Sequence, residues 1–128
     1  MIGYVTLGTK NIEAARVFYD GLLGSIGAKR LMEFGGFTMW GTSLGQPGIA
    51  LTNPFDGGTA SAGNGNMVAI VLDARAKVDA LHARALEFGG SDEGAPGLRG
   101  EEGPQAFYGA YFRDPDGNKF CAFRMGPA

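Results

Sequence analysis

The hydrophobic pattern runs through this chain twice. Residues 1–9 alternate, with Val5 and Leu7 on one face and Tyr4, Thr6 and Gly8 on the other, which predicts a strand. A helical period follows at Ile12, Ala15, Tyr19 and Leu22, widened by Phe18 and Leu23. Asn11 suits its N-cap, Glu13 suits the positive end, and Gly24 ends it. Strands are predicted at 28–34 and 37–41, joined by the hairpin signal Gly35-Gly36, and at 48–52 after the turn-rich SLGQPG. Residues 53–66, NPFDGGTASAGNGN, are small, polar and aperiodic, and read as a connector. The pattern then restarts. A strand is predicted at 67–72, then a helix capped by Asp73, with the stripe Val78, Leu81, Ala85 and Phe88 and a Gly89-Gly90 stop. A short strand at 91–93 and a Gly/Pro-rich loop at 95–105 lead to two last strands, 108–113 and 119–125.

The turn between those last strands is strongly specified. Asp114 can bond forward to the backbone, Pro115 presets φ, and Gly117 can take positive φ, so DPDGN predicts a tight hairpin. Strand–helix–three strands, twice, at a period of roughly sixty residues indicates an internal duplication. The fold class expected is α+β, built from two βαβββ modules. Within one domain spanning 1–128, module 1 covers about 1–55, a linker about 56–65 and module 2 about 66–128. In each module an apolar helix face can cover one sheet face, which leaves the other face to line something else.

Residues 108–125, YGAYFRDPDGNKFCAFRM, and residues 4–24, YVTLGTKNIEAARVFYDGLLG, carry a family resemblance. The chain resembles the glyoxalase/bleomycin-resistance/extradiol-dioxygenase (vicinal oxygen chelate) superfamily over essentially its whole length. The resemblance implies a curved open-barrel sheet with helices on the outer face, frequent dimers and a small-molecule ligand. In metal-dependent relatives the inner face also supplies ligands. Carried over position by position, the first-strand histidine is Tyr4 here, the fourth-strand glutamate falls near Ala50, the fifth-strand histidine is Met67 and the last glutamate is Cys121. Nickel, zinc, manganese or iron wants imidazole, carboxylate or amide donors, and these four side chains do not supply them. A soft Met67/Cys121 copper(I) pair is all that survives, and it is disfavoured. No metal and no cofactor is expected.

Composition narrows the classes further. The chain has 128 residues, 11 basic and 13 acidic, with no basic stripe interleaved with aromatics, which argues against a nucleic-acid partner. Its 23 glycines follow no fibrous period and punctuate short strands. One cysteine favours a reducing, cytoplasmic setting, and neither a signal peptide nor a membrane-spanning run is expected.

The candidate ligand pocket is Tyr4, Met39, Trp40, Ala50, Met67, Tyr108, Cys121 and Phe123. Strand parity puts either Met39 or Trp40 inward. An aromatic, sulfur-lined concavity with few polar groups is the usual form of a small-molecule site, against the plainer reading that these side chains simply pack as core. Tyr4 and Cys121 are the only candidates for catalysis. For Cys121, space-filling is favoured over a nucleophile or redox sensor activated by Lys119. The single histidine, His82, lies at the edge of a helix stripe and reads as a hydrogen-bonded structural residue. Asp114 and Asp116 are explained by the turn, GNGN by the connector, and Glu33 and Arg99 are charges without an assigned place. The function expected is a metal-independent small-molecule-binding protein, forming a homodimer. The alternatives are a glyoxalase-like lyase or dioxygenase with a displaced metal site, and a metal-free isomerase or lyase using Tyr4 or Cys121.

Overall fold

Two compact units, Met1–Ala62 and Gly63–Ala128, carry the same order of elements. The computed structural model describes residues 1–128. In the first unit β1 (Tyr4–Gly8) leads into α1 (Ile12–Gly24), then β2 (Lys29–Phe34), β3 (Phe37–Gly41) and β4 (Gly48–Thr52). The second unit runs β5 (Val68–Val71), α2 (Arg75–Glu87), β6 (Ser91–Leu98), β7 (Phe107–Arg113) and β8 (Lys119–Met125). The result is an α+β fold with two open four-stranded sheets, ordered β1-β4-β3-β2 and β5-β8-β7-β6. In each, the first strand runs parallel to the last and the other pairings are antiparallel.

Helix α1 begins where a side chain can satisfy its free amides. Asn11 accepts from the Ala14 N–H at 3.1 Å, as its N-cap position predicts. Ala15, Phe18, Tyr19, Leu22 and Leu23 then bury one stripe against the first sheet. Helix α2 departs from expectation at its start. Its N-cap is Ala74, which offers no side-chain acceptor, and Asp73 instead pairs with Lys77 at 2.7 Å one turn on. Val78, Leu81, His82 and Ala85 face the second sheet, whereas Phe88 is the C-cap and only half-buried.

Strand β6 is the second departure. Predicted to span only 91–93, it runs from Ser91 to Leu98 and takes in part of the expected loop. Two register shifts, between Asp92 and Gly94 and between Gly94 and Gly97, let this Gly- and Pro-containing stretch stay paired with β7. The sequence breaks alternation at the bulges, which is why periodicity alone cuts the strand short.

The closing hairpin follows the expected design. Asp114, only 3 % exposed, accepts from the Asp116 and Asn118 amides at 3.0 and 2.8 Å and from Asn118 Nδ2 at 2.9 Å. Its own N–H donates to the Asn118 carbonyl at 2.9 Å. Gly117 has φ +91°, a region that β-branched residues avoid. Replacing it, Gly117→Val, is expected to cost about 1–3 kcal/mol through backbone strain. Denaturant unfolding checks this, and an unchanged midpoint would contradict the turn's role.

Candidate functional site

Register decides which residues share a face. In the first sheet Tyr4 pairs with Gly48, Thr6 with Ala50, and Ala50 in turn with Met39, so Tyr4, Ala50 and Met39 share one face. Trp40 falls on the other. Its Nε1 donates to Asp20 on α1 at 2.9 Å, and its ring lies 5.5 Å from Tyr19. The choice left open between Met39 and Trp40 is therefore settled: Met39 faces away from the helix, and Trp40 is core. Glu33 also belongs on the helix side, where it meets Arg30 at 3.0 Å and Arg16 at 3.7 Å. Arg30 holds the Asp20 carboxyl below the usual carboxylate range, with Trp40 adding a further donor against the opposing effect of burial.

The open face of the first sheet is aromatic. Phe34 stacks on Phe37 at 5.0 Å, and Tyr4 meets Phe37 edge-on at 6.3 Å. Tyr4 is 54 % exposed. A separate hollow of about 650 Å³ lies beyond the ends of β1 and β4, lined by Thr9, Lys10, Asn53, Pro54 and residues 57–60. None of the predicted site residues reaches it, and Lys10 is its only titratable side chain.

In the second sheet Cys121 pairs with Ala69 on one side and Tyr111 on the other, and Phe123 pairs with Val71 and Gly109. Met67 precedes β5 with the parity of Ala69 and Val71, and all three are exposed. Met67, Cys121 and Phe123 therefore lie on the open side. Tyr108 does not. It has the opposite parity, donates its hydroxyl to Asp79 of α2 at 2.7 Å and carries the Arg75 guanidinium 5.2 Å from its ring centre. Its bond to Asp79, with burial, raises its pKa above the ordinary tyrosine value. Tyr108 thus belongs to the packing between helix and sheet.

Tyr111 was missing from the candidate set and stands at its centre. It pairs directly with Cys121 across the hairpin, and Arg99 and Lys119 approach its ring to 5.5 and 5.7 Å. The signal was available. A turn that closes on Arg113 and Lys119 places residue 111 opposite 121 by simple counting. Burial pushes the Cys121 thiol up from its ordinary pKa, against the opposing pull of Tyr111, Arg99 and Lys119. At 1 % exposure and with its pKa raised, the thiol keeps its proton at neutral pH.

Phe107 and Phe123 stack at 5.2 Å with their planes 9° apart. Gly109 makes room for this pair, since a Cβ there would sit 2.6 Å from Phe107 Cε1. His82 is buried and paired with Asp92 at 2.9 Å on the helix side, as its place at the stripe's edge suggested. Nowhere do three or more His, Cys, Asp or Glu side chains converge in a way that could hold a metal ion. Of the positions that the resemblance would assign to metal ligands, Ala50 carries only a methyl group and Cys121 a buried thiol with a raised pKa. These donors do not fit a divalent ion of the kinds named above.

Two βαβββ units, each an open four-stranded sheet with a helix packed on one face, make up the whole architecture. The family model for the Glyoxalase/Bleomycin resistance protein/Dioxygenase superfamily matches residues 1–122, and the chain belongs to that superfamily. A glyoxalase/bleomycin resistance protein from Albidiferax ferrireducens T118 is 32 % identical, with a TM-score of 0.85 over 97 % of this chain and 98 % of that one. The hypothetical protein SA1046 from S. aureus (22 % identity, TM-score 0.73, 97 % and 92 % covered) shares the fold. So does a family enzyme from Burkholderia phytofirmans PsJN (21 % identity, TM-score 0.72, 96 % and 97 % covered). A search of curated proteins gave no match. No helix is long and apolar enough to cross a membrane.

Two substitutions separate site from scaffold. Tyr4→Phe removes an exposed hydroxyl and is expected to move stability by less than about 0.5 kcal/mol. Gly109→Ala forces the Phe107 ring off Phe123 and is expected to cost roughly 1–3 kcal/mol. Thermal melts and aromatic NMR shifts of the two variants provide the comparison.

Proposed function

We propose that this protein is a metal-independent small-molecule-binding member of its superfamily, with the ligand held on the open face of the second sheet. The observation that carries this reading is Cys121. Where the chemistry of metal-dependent relatives needs a carboxylate, this chain has a buried thiol that burial keeps protonated. Around it stand the Phe107–Phe123 stack, Tyr111 and Met67, an apolar surface with one hydroxyl and two cations. Such a surface can hold the body of a small molecule and orient one polar group. Binding without chemistry is sufficient for a sequestering role.

Homodimerisation belongs to the same reading. Tyr4, Met32 and Phe34 on the first open face, and Met67, Val71 and Met125 on the second, are large hydrophobic side chains left exposed in the single chain. A cytoplasmic setting suits a protein whose one cysteine has no partner.

The purified protein is expected to take up no stoichiometric nickel or zinc and to isomerise no hemithioacetal when either metal is added. Isothermal titration with each ion, alongside the activity assay, provides the test. Saturable one-to-one uptake that disappears in Cys121→Ala or Met67→Ala would overturn the metal-independent reading.

A further inference from the structure

On the open face of the second sheet the uncompensated charges have one sign. Arg99 Cζ and Lys119 Nζ lie 5.5 and 5.7 Å from the centre of the Tyr111 ring. Neither cation meets a carboxylate. The ion pairs of this unit are Arg75–Glu102, Lys77–Asp73, His82–Asp92, Arg84–Glu87 and Arg113–Glu93. Arg113, the third cation on this face, is thus already neutralised by Glu93, at 2.5 Å.

Arg99 is also held in place before any ligand arrives. Its guanidinium donates to the carbonyls of Ala95 and Gly97 at 2.7 and 3.0 Å, which leaves further N–H donors unspent. The bulged strand beneath gives it room. A Cβ on Gly94 would sit 3.0 Å from the Tyr111 ring and 3.2 Å from Arg99 Nη2, and one on Gly97 would sit 3.3 Å from Nη1. Glycine at both positions lets the guanidinium lie close over the strand. A cation fixed this way loses little further freedom on binding. Beside it the surface turns apolar, through Phe123 and Phe107, with the Cys121 thiol buried beneath.

Resting on the binding role proposed above, we infer that this face selects a small organic anion, a carboxylate carried on a planar aromatic or conjugated body. The carboxylate meets the Arg99 guanidinium fork, and Lys119 adds a second positive charge beside the Tyr111 ring. The planar body covers Tyr111 and extends toward Phe123. Burial of Tyr111 raises its phenol pKa, so the ring stays neutral and does not repel the anion.

Three probes that share one ring system decide the matter: naphthalene carboxylate, naphthylmethanol and naphthylmethylammonium, titrated calorimetrically into the full chain at low salt. The carboxylate is expected to bind about tenfold more tightly than the alcohol, with the ammonium weakest. Added salt should narrow that preference. In the double variant Arg99→Gln/Lys119→Gln the preference should vanish while the alcohol binds as before. Arg99→Lys should keep part of it. Ring resonances of Tyr111, Phe107 and Phe123 should shift on binding. If the double variant does not fold, the two single variants carry the comparison. Equal or tighter binding of the alcohol or the ammonium would overturn the inference and leave the binding role standing. An anion preference that survives in the variants would overturn it too, since the carboxylate would then sit elsewhere. No saturable binding of any probe would sink the binding role itself, and the inference with it.

Discussion

One buried carboxylate sets the register of the second sheet. Asp114 gathers the amides of Asp116 and Asn118 and the side-chain amide of Asn118, and so holds residues 114–118 in a single conformation. That conformation makes Arg113 and Lys119 the first pair of the hairpin, and every later pair follows. Cys121 meets Tyr111, Phe123 meets Gly109, and Phe120 and Ala122 face the helix. A slip of one residue would exchange the two sets, sending the thiol into the core and two core side chains to the open side. The composition of the candidate site thus depends on a turn that contributes no side chain to it.

Each sheet divides its polar groups in the same way. On the helix-covered sides nearly all are satisfied locally, Arg75 Nε being the exception. Arg16 reaches Thr38 at 2.8 Å and Glu13 at 2.7 Å, while Asp20 takes Arg30 and Trp40. Tyr108 meets Asp79, and His82 meets Asp92. These contacts bind helix to sheet, and their loss would be felt as stability. The open sides carry aromatic and sulfur-bearing groups with few polar partners. In the second unit that surface also holds two cations with no counter-ion. Cations left without a carboxylate partner direct attention to what they could bind.

Most of the fold was legible in the sequence because periodicity and caps report local physics directly. The Asn11 cap, the Gly35-Gly36 hairpin, the DPDGN turn and the strands Phe37–Gly41, Gly48–Thr52 and Lys119–Met125 all stand as read. The errors have separate causes. At Asp73 a nearby lysine outcompeted the helix amides, and in β6 two bulges broke the alternation that marks a strand. Parity assigned Met67, Cys121 and Phe123 correctly relative to one another. Yet Trp40 and Tyr108 were included for their aromatic character when parity placed them against the helices. Tyr111 went unnoticed although the hairpin's own register pointed to it. Arg99 could not have been placed, since its position depends on the path of a bulged strand and on glycines beneath it.

The bulged strand has a further effect, on how the sheet meets other chains. β6 lies at one edge of its sheet, where unpaired backbone groups invite a foreign strand. Here Pro96 has no N–H to offer, and two bulges bend the backbone away from a flat template. Both features disfavour augmentation from that side. The opposite edge, β5, has only four residues, Val68–Val71. A sheet with one edge disarmed and the other this short gives little purchase to runaway strand addition. It can therefore leave a hydrophobic face uncovered with less risk of aggregating through its edges.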